Sequence, residues 1–289
     1  LLDWIDINKL DWIYLSLNMN AISILKENPD KIYWDGLCAN LNAIEILKAN
    51  PDKINWFQLS GNPNAIEILK ANPNKINWSQ ISININAIDL IKENLDKINW
   101  TLLSSNLNAI EILKANPDKI DWFYLSSNPN AIELLKANPD KIDWAVLSGN
   151  SNAVKLLKEN PDKINWDFLS FNKNAISLLK ENQDKLNWSN ISVNTNAAEI
   201  LKTNLDKIDW DMIAFNPNLC SIFNTNQDKL NWSYLSSNPS IFTYNYNKMR
   251  NSNLDLKEEI IAAALNPKRI FRLIAEYGDE EIYDIYFDE

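Results

Sequence analysis

The sequence predicts an all-α fold, an α-solenoid of about eleven 22-residue two-helix repeats with N- and C-terminal caps. Three observations predict it. Tryptophan recurs at one fixed spacing from Trp12, Trp34 and Trp56 through to Trp232, with no insertion or deletion between. Within each copy the aliphatic residues fall at helical spacing, as in Ala65, Ile66, Ile68 and Leu69. Asparagine and proline stand where helices begin and end. A fixed period of this kind marks units that stack on their neighbours and share one core.

Residues 1–11 read as an N-terminal cap. Trp4 is out of phase with the other tryptophans, yet Lys9-Leu10-Asp11-Trp12 already matches the end of a repeat. The repeats then run over residues 12–240. In the third full copy Asn55 is the N-cap of a short helix that starts at Trp56, and Leu59 and Ser60 share the tryptophan's face. The Ser60 column is usually Ser, with Cys38 and Ala214 as exceptions, and a small residue there predicts close helix–helix approach. Asn62 caps the next helix and Pro63 takes its first position. That helix runs to Ala71, where Asn72 is expected to stop it in a left-handed conformation before Pro73.

Three columns could bind a ligand or could simply hold the fold. Asn18 through Asn238 and Asn28 through Asn226 never vary. Helices this short are unstable alone and leave orphan backbone groups at every end, so capping is the expected role. The lysine column, Lys31 and Lys53 onward to Lys229, invites phosphate, but an acid usually precedes each Lys in the turn. A solvated turn lysine is the expectation. Cys38 and Cys220 fill repeat positions and read as unbonded core fillers.

Residues 241–289 read as a C-terminal helical cap with an acidic tail. One helix is expected over 256–265 and another from Asn266 to Tyr277, stopped by Gly278. Lys268, Arg269 and Arg272 form the one basic cluster of the sequence.

Composition narrows the function. Net charge is −10 and histidine is absent, which removes the commonest general base and metal ligand. No catalytic residue, metal ligand or cofactor site is read, and the chain is not expected to be an enzyme. Acids and lysines recur in every copy, whereas a catalytic constellation should break the repeat. No apolar run is long enough for a membrane span, and no secretory leader is read. Asn77-Trp78-Ser79, Asn99-Trp100-Thr101, Asn187-Trp188-Ser189 and Asn231-Trp232-Ser233 match the glycosylation pattern at helix starts, where a sugar would obstruct folding. A cytosolic home is therefore expected.

The strings Leu2-Asp3-Trp4-Ile5 and Lys9-Leu10-Asp11-Trp12, and the repeating NPNAIEILKANPDKINW, resemble the Asn-Pro/Trp tandem-repeat proteins of giant DNA viruses of the mimivirus type. Tyr244-x-Tyr246, Glu258-Glu259 and Pro267-x-Arg269-Ile270 are similar to their closing segment, with Asn266 where that segment often has His. The resemblance implies a viral protein expressed in a protist host and implies no activity.

The columns that vary carry the functional expectation. At about 100° per residue, the first, second and fifth positions after each tryptophan lie opposite the constant face. Many are aromatic: Tyr14, Phe57, Phe123, Tyr124, Phe168, Phe171, Phe215 and Tyr234. These residues are expected to bind a protein partner, host or viral, because interface hot spots favour aromatics. A repeat-based single-stranded nucleic-acid reader is the alternative, opposed by the acidic charge. A leucine-rich-repeat-like binding protein is the third reading. The array is expected to be open, with a path on the order of 100 Å.

Overall fold

The computed structural model describes residues 1–242 and 266–277. The chain forms two compact units, Leu1–Phe242 and Thr243–Glu289. Among the described residues there is no strand, which excludes a leucine-rich repeat and leaves an all-α solenoid.

Each repeat opens with a tryptophan helix of four to six residues, the first Trp12–Leu17 and the last Trp232–Ser236. Its N-cap is Asp or Asn in ten of the eleven copies, and the cap side chain accepts the amide of the second or third residue on, as Asp121 does from Tyr124. Tyr33 is the exception and makes no such bond. Next comes an isoleucine helix, for example Ile66–Ala71. The proline that the sequence places at its first position instead forms a separate 3-10 turn, Pro63–Ala65, capped by Asn62. A second 3-10 turn, such as Pro73–Lys75, leads into the next copy.

The helix stop differs from the expectation. Asn72 has φ −133° and ψ 59°, so its backbone is not left-handed. Its Nδ2 instead donates to the Ile68 carbonyl at 2.9 Å and closes the helix through the side chain. All ten asparagines of that column, Asn28 through Asn226, make the equivalent bond.

The core is a continuous band. One leucine or isoleucine of each tryptophan helix, Leu15 through Leu235, and one large apolar residue of each isoleucine helix, Leu25 through Phe223, are wholly buried. The tryptophans are only half-buried and pack on the edge of that band. Successive tryptophan helices pack directly on one another, and the isoleucine helices do so much less. The small column permits the close approach. Ser60 Oγ donates to the Trp56 carbonyl at 2.7 Å and accepts the Asn77 amide of the next repeat at 2.9 Å. Cys38 Sγ takes the accepting role in its own copy, from the Asn55 amide at 3.3 Å.

The expected open array is overturned. Within the first unit, Trp12–Leu17 packs on Trp232–Ser236 just as it packs on Trp34–Ala39, so the eleven repeats close into a ring. Every bond of a normal repeat junction recurs there. Asn18 Nδ2 donates to the carbonyls of Ser236 and Asn238, both at 2.9 Å, as Asn40 Nδ2 does to Ser16 and Asn18. The Asp11 amide donates to Ser236 Oγ, and Asn20 Nδ2 to the Pro239 carbonyl. Eleven repeats sharing one full turn rotate by about 33° each.

The N-terminal segment does not cover a free end, as the sequence suggests. It supplies the second half of the eleventh repeat. The last copy contributes its tryptophan helix and the turn Pro239–Ile241. The Leu2 amide then donates to the Ile241 carbonyl at 2.8 Å. Ile7–Lys9 forms the 3-10 turn that Pro29–Lys31 forms elsewhere, and Leu10 takes the buried slot of Ile32. Trp4 packs edge-on against Trp232 with ring centroids 6.3 Å apart.

Closure explains the tryptophan column. In a ring the more closely spaced helices lie on the inner circumference, so the tryptophan helices are inside and the isoleucine helices outside. With layers ~10 Å apart, outer helices stand about 6 Å further from their neighbours than inner ones do. Trp56 lies in the cleft between the outer helices Ile44–Ala49 and Ile66–Ala71, with Leu47, Pro51 and Ile68. The indole is thus a wedge for curvature.

In the second unit, an α-helix spans Pro267–Tyr277, with Arg269 and Ile270 amides donating to the Asn266 carbonyl. The helix expected over 256–265 lies outside the described residues.

Candidate functional site

The constant face of each tryptophan helix is spent on the ring. Trp56, Leu59 and Ser60 point toward the outer layer and the neighbouring copies. The opposite face, the first, second and fifth positions after the tryptophan, therefore looks into the central opening. Eleven helix axes ~8–10 Å apart define a circle about 30 Å across. Subtracting a helix radius of ~5–6 Å on each side leaves an opening roughly 20 Å wide.

The aromatic positions read from the sequence all lie on this inner wall. Phe57, Phe123, Phe168, Phe171 and Phe215 are 37–52% exposed, while Tyr14, Tyr124 and Tyr234 are half-buried. The three tyrosines are held by neighbours. Tyr124 meets Phe123 edge-on at 5.4 Å, Phe215 stacks on Tyr234 at 4.8 Å, and Tyr14 meets Tyr234 edge-on at 5.5 Å. The last pair joins residues from opposite ends of the repeat region.

Glycines mark where these side chains cross between repeats. A Cβ on Gly149, the fifth position of its copy, would lie 3.7 Å from the Phe168 ring of the next. Gly36 sits beneath Leu17 of the preceding copy and Tyr33. The second position of one repeat thus abuts the fifth of its neighbour, which makes the inner wall a continuous band.

Sequence reasoning missed two features of this wall. The first is charge. The eleven tryptophan helices contain no Lys, Arg or Glu; their charged residues are Asp35, Asp167 and Asp211, all exposed. Each donates nothing and accepts from the N-cap asparagine of the next repeat: Asn55 to Asp35, Asn187 to Asp167 and Asn231 to Asp211, at 2.9–3.0 Å. In each bond only Oδ1 is engaged, so the second carboxylate oxygen is left for water or a guest. The second is placement. On the closed ring, all three aspartates and Phe168, Phe171, Phe215, Tyr234 and Tyr14 fall in one arc of six repeats spanning the closure, while Phe57, Phe123 and Tyr124 lie on the other arc.

The other columns are structural. All eleven asparagines from Asn18 to Asn238 donate through Nδ2 to the preceding repeat, none more than 3% exposed. They cap through Oδ1, as expected, and in addition join each repeat to the one before it. The lysines are more than solvated turn residues. Seven of them, Lys9 and Lys31 among them, lie over the tryptophan that opens their own copy at 4.3–5.0 Å from the ring centroid. Lys53, Lys119 and Lys141 instead pair with the adjoining aspartate. Both cysteines are free. Burial pushes both thiols up, and Asp35 adds to the effect at Cys38.

Among the described residues, no group of His, Cys, Asp or Glu is placed to hold a metal ion, and no helix is long and apolar enough to cross a membrane. No protein-family profile, curated protein or solved structure matches the chain.

Proposed function

We propose that the ring is a non-catalytic protein-binding module whose inner wall takes the partner. One observation carries this reading: the positions that hold the ring together are constant, and those that line its opening vary and expose phenylalanines. A row of exposed aromatics on a rigid scaffold supplies contact area at low entropic cost. The absence of basic residues from the wall speaks against a nucleic-acid backbone as guest. The resemblance to giant-virus repeat proteins leads us to place the partner among viral or host proteins of a protist cytosol.

The test compares the wild-type chain with the triple variant Phe123→Ser, Phe168→Ser, Phe171→Ser. All three are exposed, so the variant should melt within a few degrees of the wild type. A partner captured from host lysate by the wild type should be lost from the variant. Equal capture by a folded variant would place the interface elsewhere.

A further inference from the structure

We infer that the inner wall recognises a cationic peptide segment, one carrying Lys or Arg beside aliphatic or aromatic residues, and that it does so on the arc across the ring closure. The inference rests on the inner wall being the binding face, as proposed above, and adds the chemistry and place of the guest.

Charge is sorted radially. Within residues 1–242 no Lys or Arg lies in a tryptophan helix, whereas three aspartates do. An anionic or neutral guest gains nothing from that arrangement, because the wall's fixed charges are of one sign. A cationic guest gains twice. Its ammonium or guanidinium groups meet the second oxygens of Asp35, Asp167 and Asp211, and they lie over exposed phenyl faces, which attract cations. Apolar residues between the cations then cover Phe171 and Phe215, which are 44% and 37% exposed.

The opening is roughly 20 Å wide and an α-helix with side chains is ~10–12 Å, so it admits one segment. Asp167, Asp211 and Asp35 stand on the six-repeat arc that holds Phe171, Phe215 and Tyr14, and because that arc is half of the ring, Asp35 and Asp167 face each other across the opening, where long Lys or Arg side chains of one segment meet carboxylates on both sides. That arc exists only because the ring closes. In an open array Asp35 and Asp211 would be at opposite ends.

The test is selection from a random peptide display library on the full chain. Selected peptides should be rich in Lys and Arg interleaved with apolar residues, and salt should weaken them. Asp35→Asn, Asp167→Asn and Asp211→Asn together should lower their affinity about tenfold or more with melting unchanged, since asparagine still accepts the neighbouring amide. Phe171→Ser with Phe215→Ser should also abolish binding. Neutral or acidic winners, or none, overturn the inference. Winners lost with the Phe171 and Phe215 changes but indifferent to the Asp changes overturn the charge argument and leave the inner wall as the binding face. Winners indifferent to all five changes count against both.

Discussion

Asn128 shows how much one side chain carries in this molecule. Its Oδ1 accepts the Asn130 amide and caps a turn, while its Nδ2 donates to the Ser104 and Asn106 carbonyls of the repeat before. Only an amide can do both. Asn128→Asp keeps the cap but sets a buried carboxylate oxygen against two carbonyls. It should cost on the order of 3 kcal/mol or more, since it leaves buried acceptors unsatisfied beside a buried charge. Asn130, two residues on, is exposed and donates one bond to the Leu107 carbonyl. Asn130→Asp should cost about 1 kcal/mol. Denaturant melts of the two variants check the order, and equal losses would mean that the buried ladder contributes no more than the exposed one.

The tryptophan helices have at most six residues, far below the length at which a helix is stable alone. Each exists because its cap, its buried leucine and its two neighbours hold it. Small backbone gains should therefore add directly to stability. Gly149 ends the helix Trp144–Ser148 with φ −78° and ψ −14°, a conformation alanine adopts freely. The nearest atoms to an added Cβ are at 3.5 Å, ordinary contact. Gly149→Ala should stabilise by up to ~1 kcal/mol by restricting the unfolded chain. Thermal melting checks it, and a lower Tm would mean that the wall beside Phe168 has no room for a methyl group.

Closure changes the whole molecule's stability. An open stack has two frayed ends, each exposing an apolar face; a ring has none. The eleventh repeat is divided between the first and last segments of the unit Leu1–Phe242, so its assembly requires the complete array. Tyr14 and Tyr234, whose rings meet at 5.5 Å, give a direct measurement. With Cys38 and Cys220 replaced by Ser, cysteines at positions 14 and 234 should be joined within one chain by a short bis-maleimide, giving a faster-migrating monomer. Removal of residues 1–11 should abolish that product and lower Tm by several degrees, because Ile5 and Leu10 leave the core. Cross-linking that persists in the truncated chain would mean that the N-terminal segment is not the clasp.

The sequence by itself determined the local structure. The spacing of Ile66, Ile68 and Leu69 set a helix and its buried face, Asn55 and Asn62 set the boundaries of the tryptophan helix before it, and the unbroken tryptophan register set the stacking. These are short-range preferences that each copy states again. It also marked which face of the tryptophan helix varies, because a constant residue and a variable one on opposite sides of a helix are legible from spacing alone. Tertiary structure decided the rest. Whether each junction turns enough to close depends on the small differences in spacing between two helix layers, set by Ser60-type contacts inside and Trp56-type wedges outside, and no single repeat encodes that sum. The match of Lys9-Leu10-Asp11 to a repeat's end was visible in the sequence, but its partner, Trp232, lies more than two hundred residues away. Only the closed ring puts Tyr14 beside Tyr234 and sets Asp35 across the opening from Asp167.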